Sequence, residues 1–187
     1  ISRKKVINMN ITIRKATIED AEDFVKVNTA TWLTTYKGLI PDKILEKRKL
    51  SISTRITRTI KDIQENNNIY VATVDNQVIG EMTYAYSRNE NFLNSGEITS
   101  VYVLKEYQGL GIGKQLFLKG IEECINLGFN SMIVNVLKGN NAIKFYEKFG
   151  GKKISQKEEK LDDIVITEYI IYFVNLKEIA TIYQNHN

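Results

Sequence analysis

The stretch Glu97-Ile-Thr-Ser-Val-Tyr-Val-Leu-Lys-Glu-Tyr-Gln-Gly-Leu-Gly-Ile-Gly113 decides the fold. Its first part, 97–103, favours a strand, and a short charged turn follows. From residue 110 to residue 126 the apolar side chains fall on one face of a helix. The stretch therefore predicts a strand, a glycine-rich loop and a helix in direct succession.

The glycine-rich loop has the composition of an anion site. Gly109, Gly111 and Gly113 lack Cβ atoms, so the backbone can turn tightly and approach a ligand closely. The N–H groups at the start of a helix lie at the positive end of its dipole, which suits a pyrophosphate, and Lys114 could add a cation. A nucleotide-binding P-loop would need one more residue and a Ser or Thr in place of Gln115. A Rossmann fingerprint would need Gly-x-Gly-x-x-Gly early in a βαβ unit.

Two motifs resemble the signatures of the GNAT N-acyltransferase family. Gln108–Gly113 resembles its Gln/Arg-x-x-Gly-x-Gly/Ala motif, and it follows Val101–Val103, where the family has Leu-Tyr-Val. Asn140–Gly151 resembles the second signature, Asn-x-Ala-x-x-Phe-Tyr-Glu-x-x-Gly-Phe/Gly. The resemblance implies the GNAT fold, an α/β (mixed α+β) fold whose central mixed, mostly antiparallel twisted sheet has helices on both faces.

The hydrophobic pattern predicts the order β-α-α-β-β-β-α-β-α-β-β. Thr17 is predicted to cap a helix that runs to about Tyr36, and a helical region over 42–65 is predicted to be interrupted near Ser51. A further helix is expected over 140–149. We expect an N-terminal extension or cloning remnant over 1–10, a GNAT domain over 11–175 and a C-terminal tail over 176–187.

The resemblance implies acetyl-CoA as co-substrate and no metal. By resemblance, the backbone of Val101, Tyr102 and Val103 pairs with the pantetheine arm, and a bulge splays this strand from the next. The implied pyrophosphate site consists of Gln108, Gly109, Leu110, Gly111, Ile112, Gly113 and Lys114. Asn140 matches an asparagine that contacts CoA in the family, although it could equally be a helix N-cap.

Acid–base chemistry must come from residues other than histidine. The one histidine, His186, lies next to the C-terminus, where chains are usually mobile. Tyr146 matches the tyrosine that protonates the departing CoA thiolate in the family, and a phenol of pKa ~10 stays protonated at neutral pH. Glu97 matches a glutamate that sometimes acts as the base; a water chain or Glu81 are the alternatives.

The acceptor predicted by the resemblance is the primary amine of a small molecule, polyamine or peptide. Trp32 and Tyr36 are four residues apart on one helix face, so they can form one wall of an acceptor site, and Tyr84 is a third candidate. Each could instead be a core residue. The acidic run Glu158, Glu159, Asp162 and Asp163 would attract a cationic amine if it faced the cleft.

Composition excludes several other classes of protein. The chain has 187 residues, one Cys and one His, so a disulfide framework or a four-ligand zinc site cannot form. Cys124 falls on the predicted core stripe of its helix and is given no function. No stretch approaches the ~20 apolar residues of a membrane span. With no export signal and no cysteine pair, a cytoplasmic location is the expectation, and a homodimer is compatible with the family.

The basic pI of about 9.0 raises nucleic acid as a partner. However, Arg3, Lys4 and Lys5 supply most of the net charge of +4. Without these three residues the formal net charge is +1, and no helix clusters Lys or Arg beside aromatic residues. We therefore expect no nucleic-acid partner, and the alternative to an enzyme is a non-catalytic acyl-CoA-binding or sensor module.

Overall fold

The computed structural model describes residues 10–184 of the chain. Within these residues seven strands form a sheet in the order β1-β2-β3-β4-β5-β7-β6. The strands are β1 (Ile11–Lys15), β2 (Ile69–Val74), β3 (Gln77–Tyr86), β4 (Gly96–Val103), β5 (Ser131–Leu137), β6 (Lys152–Leu161) and β7 (Ile164–Val174). The α-helices are α1 (Ala21–Thr35), α2 (Asp42–Leu50), α3 (Ile52–Glu65), α4 (Ile112–Asn126), α5 (Ile143–Glu147) and α6 (Leu176–Gln184).

The sheet is mixed and mostly antiparallel, as predicted. Strands β1 and β2, β2 and β3, β5 and β7, and β6 and β7 are antiparallel neighbours. Strands β4 and β5 run parallel. The order of elements predicted from the sequence is confirmed from β1 to β7, with the helical region predicted over 42–65 divided into α2 and α3.

The chain divides into two compact units. Among the described residues, the first consists of 10–83 and Ser100–Phe117, and the second of Tyr84–Thr99 and 118–184. Strands β3 and β4 and helix α4 each begin in one unit and end in the other. The predicted domain limits at residues 11 and 175 remain predictions. The predicted extension over 1–10 lies outside the described residues except for Asn10, and His186 lies outside them as well.

In the first unit, helices α1 and α3 pack over an apolar core. Helix α3 contributes a stripe of isoleucines at positions 52, 56, 60 and 63, a spacing that keeps them on one helix face. The buried members of this core are Ala16, Ala21, Phe24, Val25, Val27, Ile63, Ile69, Val71 and Val78.

The helix boundaries of the first unit largely follow the sequence signals. Thr17 is the predicted cap, and its backbone amide donates to the Asp20 carboxylate at 2.7 Å, which is one half of a capping box. The capped element is a single 3-10 turn over Ile18–Asp20, and α1 starts after it. The interruption predicted near Ser51 is confirmed, because α2 ends at Leu50 and α3 begins at Ile52.

In the second unit, strands β5 and β7 supply fully buried side chains such as Met132 and Phe173, and Cys124 is fully buried as predicted. Helix α5 is shorter than the helix predicted over 140–149. Its first residues form a turn instead, because the Asn140 side chain accepts the amide of Ala142 at 2.9 Å. The expected tail over 176–187 forms helix α6 through residue 184, and its first residue, Leu176, is fully buried.

Candidate active site

Strand β4 carries the first part of the candidate site. Its parallel register with β5 pairs Gly96 with Met132 and Glu97 with Ile133. Ile98 continues the strand beyond this pairing. The pairing of β4 with β5 therefore ends early along β4. The predicted divergence of β4 from the next strand requires such an early end.

The glycine-rich loop of the first unit connects β4 to helix α4. Gly109 and Gly111 have φ angles of +77° and +81°, and no atom lies within 4 Å of a Cβ built at either position. These backbone conformations favour glycine. The Gln108 side chain donates to the Val103 carbonyl at 2.9 Å and thereby ties the loop to the end of β4.

The start of α4 presents the amides that the anion-site prediction needs. The amide of Gln115 donates to the Gly111 carbonyl at 3.0 Å, so the helical hydrogen-bond ladder begins there. Amides in the first turn precede the ladder and have no partner within the helix. Lys114 is half-buried in the same turn. The loop can therefore hold an anion chiefly through backbone amides.

Aromatic side chains of the first unit form a contiguous face. The rings of Trp32 and Tyr36 meet edge to face with centroids 4.6 Å apart, which confirms that the two residues share one face of α1. The hydroxyl of Tyr36 lies 3.0 Å from that of Tyr102 on β4. The Arg48 guanidinium stacks 3.9 Å from the centre of the Trp32 ring. Tyr36, which directly follows α1, thus contacts β4, and Trp32 packs against Tyr36.

A buried carboxylate, Glu81 on β3, lies in the same unit. Its side chain is fully buried, and each carboxylate oxygen accepts one hydrogen bond. Asn28 of α1 donates to Oε1 at 2.7 Å, and Ser100 of β4 donates to Oε2 at 2.7 Å. A buried carboxylate needs such donors, because transfer of an unpaired charge from water is very unfavourable.

Two arginines complete this cluster. Arg48 of α2 and Arg55 of α3 both donate to Oδ1 of Asn28, at 2.5 and 2.6 Å. Arg55 also donates to the Thr29 hydroxyl at 2.7 Å. The Asn28 amide therefore links the carboxylate of Glu81 to both guanidiniums, and we call Asn28, Arg48, Arg55, Glu81 and Ser100 the Glu81 cluster.

Burial dominates the ionisation of the Glu81 cluster. It raises the pKa of Glu81 to about 7, although the hydrogen bonds from Ser100 and Asn28 and the charges of both arginines oppose the shift. Burial and the like charge of Arg55 lower the pKa of Arg48 to about 10. Arg48 therefore remains charged at neutral pH, whereas Glu81 can gain or lose a proton there.

The second unit contains the other predicted base, Glu97. Its carboxylate is buried and accepts a hydrogen bond from the Asn135 side chain at 2.9 Å. Burial raises the pKa of Glu97, and the positive charges of Lys157 and Arg88 partly counteract this. Asn135 donates this bond through Nδ2, and its side-chain oxygen Oδ1 is buried and has no hydrogen-bond partner among the described residues.

Tyr146 and Asn140 also lie in the second unit, close together in sequence. Tyr146 is buried on α5, with its ring centre 5.1 Å from that of Phe145 and 6.4 Å from that of Phe173. Asn140 caps the turn before α5 by accepting the amide of Ala142, but the N-cap of α5 is Ala142 itself, so the predicted N-cap role of Asn140 is not confirmed. Its predicted contact with CoA is compatible with this cap and remains a prediction, as does the catalytic role of Tyr146.

Comparison with known proteins decides the family. The model of the acetyltransferase (GNAT) family matches residues 32–151, about two thirds of the chain. The chain belongs to the GNAT family of acetyltransferases. The matched region includes both motifs that suggested the resemblance, Gln108–Gly113 and Asn140–Gly151.

Similar proteins support the same assignment. The chain is 27% identical to the uncharacterised N-acetyltransferase YuaI of Bacillus subtilis over 92% of this chain and 98% of that protein. It is 30% identical to the spermidine N(1)-acetyltransferase of Thermoplasma acidophilum over 62% of this chain and 76% of that protein. The crystal structure of the PaiA N-acetyltransferase from Thermoplasma acidophilum in complex with coenzyme A is 26% identical, with a TM-score of 0.69, and the match covers 89% of this chain and 99% of that one.

Other predicted residues of this GNAT protein have contacts of a structural kind. Tyr84, a predicted acceptor residue, is buried and donates through its hydroxyl to Glu123 of α4 at 2.8 Å. This contact favours a packing role, and acceptor binding by Tyr84 remains a prediction. The acidic run Glu158, Glu159, Asp162 and Asp163 is exposed around the β6–β7 turn.

Sequence reasoning missed most of the Glu81 cluster. Asn28, Arg48, Arg55 and Ser100 carried no motif, and only their three-dimensional arrangement identifies them. One signal was available, because Glu81 interrupts the otherwise uncharged strand segment 78–86. Buried glutamates are rare unless they are paired, so this residue predicts polar partners without naming them.

Between residues 10 and 184, no group of three or more His, Cys, Asp or Glu side chains is placed to hold a metal ion. In the same range no helix combines the length and the apolar character that a membrane crossing requires.

Proposed function

We propose that this GNAT protein is an N-acetyltransferase that transfers the acetyl group of acetyl-CoA to a primary amine of a small molecule, polyamine or peptide. The observation that carries the proposal is the loop at the start of α4, where Gly109 and Gly111 adopt left-handed conformations with open space beside them. Further support comes from the relative of 26% identity whose structure contains coenzyme A.

The loop suits the pyrophosphate of CoA. No Cβ restricts the approach to the backbone at Gly109 or Gly111, and the amides of the first α4 turn precede the helical ladder. Lys114 supplies a positive charge in that turn. In the proposal, the backbone of Val101–Val103 pairs with the pantetheine arm, and residues 108–114 hold the pyrophosphate. Asn140 is a further proposed contact.

The proposed reaction is a direct attack in a ternary complex. Bound acetyl-CoA supplies an acetyl carbon activated as a thioester. The acceptor nitrogen must lose a proton before or during its attack, and the departing thiolate must gain one. We assign the proton donor to the Tyr146 hydroxyl, because a phenol is protonated at neutral pH and can donate to a developing thiolate.

The proton acceptor is one of two buried carboxylates. The family resemblance favours Glu97. Glu81 is the alternative already named from the sequence, and its pKa of about 7 suits a base at neutral pH. A base whose pKa lies near the working pH combines a useful fraction of the basic form with enough proton affinity. No catalytic role is proposed for His186.

The proposed acceptor is a primary amine. A polyamine is one candidate, because one relative is named as a spermidine N(1)-acetyltransferase and is 30% identical over its matched region. Trp32 and Tyr36 are the proposed acceptor contacts. Their rings meet edge to face, and aromatic rings attract cations, as the Arg48 guanidinium stacked on Trp32 illustrates.

The test measures acetyl-CoA turnover with spermidine, a short diamine and a peptide with a free N-terminus. Turnover with any amine supports the proposal. Binding of CoA without turnover on any amine would favour the non-catalytic acyl-CoA module instead. Tyr146→Phe should lower kcat by about 10²–10⁴-fold. Tyr86→Phe, which alters a tyrosine that is 61% exposed, is the matched control and should retain the full rate. A full rate for Tyr146→Phe would remove Tyr146 as the acid.

A further inference from the structure

In the Glu81 cluster, one of the two hydrogen-bond partners of the buried carboxylate is partly exposed. Glu81 is fully buried, and its two carboxylate oxygens are bonded to the side chains of Asn28 and Ser100. Asn28 is buried as well, whereas Ser100 is half-buried. The Ser100 hydroxyl therefore connects the buried carboxylate to the accessible side of β4.

The position of Ser100 along β4 is relevant to the reaction. Ser100 directly precedes Val101, the first of the three residues whose backbone is proposed to pair with the pantetheine arm. Side chains alternate along a strand, so Ser100 points to the same face as Tyr102. That face also holds Tyr36, a proposed acceptor contact, whose hydroxyl lies 3.0 Å from the Tyr102 hydroxyl.

The two arginines of the cluster stabilise the negative charge of Glu81 without bonding to its carboxylate directly. Arg48 of α2 and Arg55 of α3 act on it through Asn28 of α1, and on β2 the residue opposite Glu81 is the apolar Val71. Both guanidiniums favour the carboxylate form, and burial opposes it. The carboxylate can therefore take up a proton without breaking an ion pair.

We propose that Ser100 accepts a proton from the ammonium group of the acceptor and passes its own hydroxyl proton to Glu81. This inference rests on the proposed N-acetyltransferase function and identifies the base that function requires. Ser100 would touch the substrate and is the catalytic residue of the pair. Glu81 acts through Ser100 and is the residue that holds the proton.

The transfer balances in protons and charge. The acceptor N–H bond breaks, and an O–H bond forms at Ser100 Oγ. At the same time the original Ser100 O–H bond breaks, and an O–H bond forms at Glu81 Oε2, 2.7 Å away. The positive charge of the ammonium and the negative charge of the carboxylate both disappear. The neutral amine is then free to attack, and the protonated Glu81 donates its hydrogen bond back to Ser100.

The competing explanation is that Glu81 serves only to neutralise Arg48 and Arg55. In that case Ser100 would satisfy one carboxylate oxygen and would have no part in the reaction. The two explanations differ in the pH dependence of kcat. If Ser100 is only structural, its substitution changes stability alone. If Ser100 transfers a proton, its substitution changes kcat and also the decrease of kcat at low pH, which we call the acidic limb.

The experiment measures kcat between pH 5.5 and 9 at saturating acetyl-CoA and amine. In the wild type, kcat should fall as the pH decreases through about 7, because protonated Glu81 cannot accept a proton. Ser100→Ala should lower kcat at pH 8 by about 10²-fold and remove this limb, with the KM for acetyl-CoA unchanged. Ser100→Thr keeps a hydroxyl and should restore most of the rate. Ser53→Ala, at an exposed serine of α3, is the matched control and should behave as the wild type.

Two further variants separate the candidate bases. Glu81→Gln should lose the acidic limb, and Glu97→Gln should keep it, whatever its absolute rate. The proposal is overturned if Ser100→Ala retains the kcat and pH profile of the wild type, or if Glu97→Gln loses the limb. The serine variants keep the test valid if Glu81→Gln does not fold. A wild type that turns over no amine would refute the proposed function itself. An active wild type together with an equally active Ser100→Ala would refute only the role of Ser100.

Discussion

Substitution of Gly151 by alanine should destabilise the second unit through a direct steric clash. A Cβ built on Gly151 lies 2.5 Å from Cζ of Phe173 and 2.7 Å from Cγ2 of Ile171. Carbon atoms in contact prefer separations of about 3.5–4.0 Å, so each contact is too close by roughly 1 Å. Phe173 and Ile171 are both fully buried on β7, which leaves them little room to move.

The size of the effect follows from other overpacked cores. Extra atoms in a well-packed interior usually cost about 1–3 kcal/mol, and two clashes with immobile side chains place Gly151→Ala at the upper end. For a chain of this length, a loss of 1 kcal/mol lowers the melting temperature by about 2–4 °C. We therefore expect the melting temperature to fall by roughly 5–12 °C, with a matching decrease in the free energy of unfolding measured in urea.

A double-mutant cycle identifies the clash as the cause. Phe173→Leu removes the ring atoms nearest to the added Cβ, so Gly151→Ala should cost at least 0.5 kcal/mol less in that background, as for residues in contact. Gly113→Ala is the control, because its Cβ would meet only Val103 Cγ2 at 3.9 Å. The steric argument fails if Gly151→Ala unfolds within about 0.5 kcal/mol of the wild type, the range of harmless surface changes.

Two further predictions concern the first unit. Burial alone would raise the pKa of Asp20, but hydrogen bonds from Arg14 and Thr17 outweigh it and hold the pKa below its usual value. The carboxylate therefore stabilises the fold at neutral pH and loses this effect as the pH falls through the folded-state pKa. The difference in the free energy of unfolding between the wild type and Asp20→Asn, measured in urea, should therefore close in acid. A difference that stays constant with pH would contradict this. Gly111→Ala forces a side chain into a φ of +81°, which costs roughly 1–2 kcal/mol. The affinity for CoA measured by calorimetry should therefore fall about tenfold, whereas Gly113→Ala should bind CoA nearly as the wild type does. Equal affinities of the two variants would refute the predicted role of the loop.

Local patterns were sufficient for the elements of the sheet and for the loop that follows β4. The strands depend on the periodicity of apolar residues, and the loop depends on closely spaced glycines. Both patterns are visible within one short segment of sequence. The break between α2 and α3 and the Thr17–Asp20 contact are equally local. Helix α6 was missed because its position near the C-terminus suggested a tail. Its apolar residues Leu176 and Ile179 have helical spacing and are both buried.

The Glu81 cluster could not be predicted in the same way, because its members are far apart in sequence. Asn28 and Glu81 are separated by 53 positions, and Ser100 lies on the next strand. The charge of Glu81 within an apolar strand indicated that partners must exist. Which residues they are depends on how α1, α2 and α3 pack over the first unit.

The contacts of Ser100 are the strongest reason to regard the cluster as more than a structural ion network. Arg48 and Arg55 both donate to Asn28, and Arg55 donates to Thr29 as well, so neither of these hydrogen bonds depends on Ser100. The Ser100 hydroxyl bonds Glu81 and is half-buried, whereas the rest of the carboxylate's surroundings are closed. A network that served only to stabilise the fold would gain from a fully enclosed donor at this position, because a buried carboxylate is best held by buried partners. A half-buried hydroxyl on a buried base is instead what proton transfer between a bound amine and the protein interior requires.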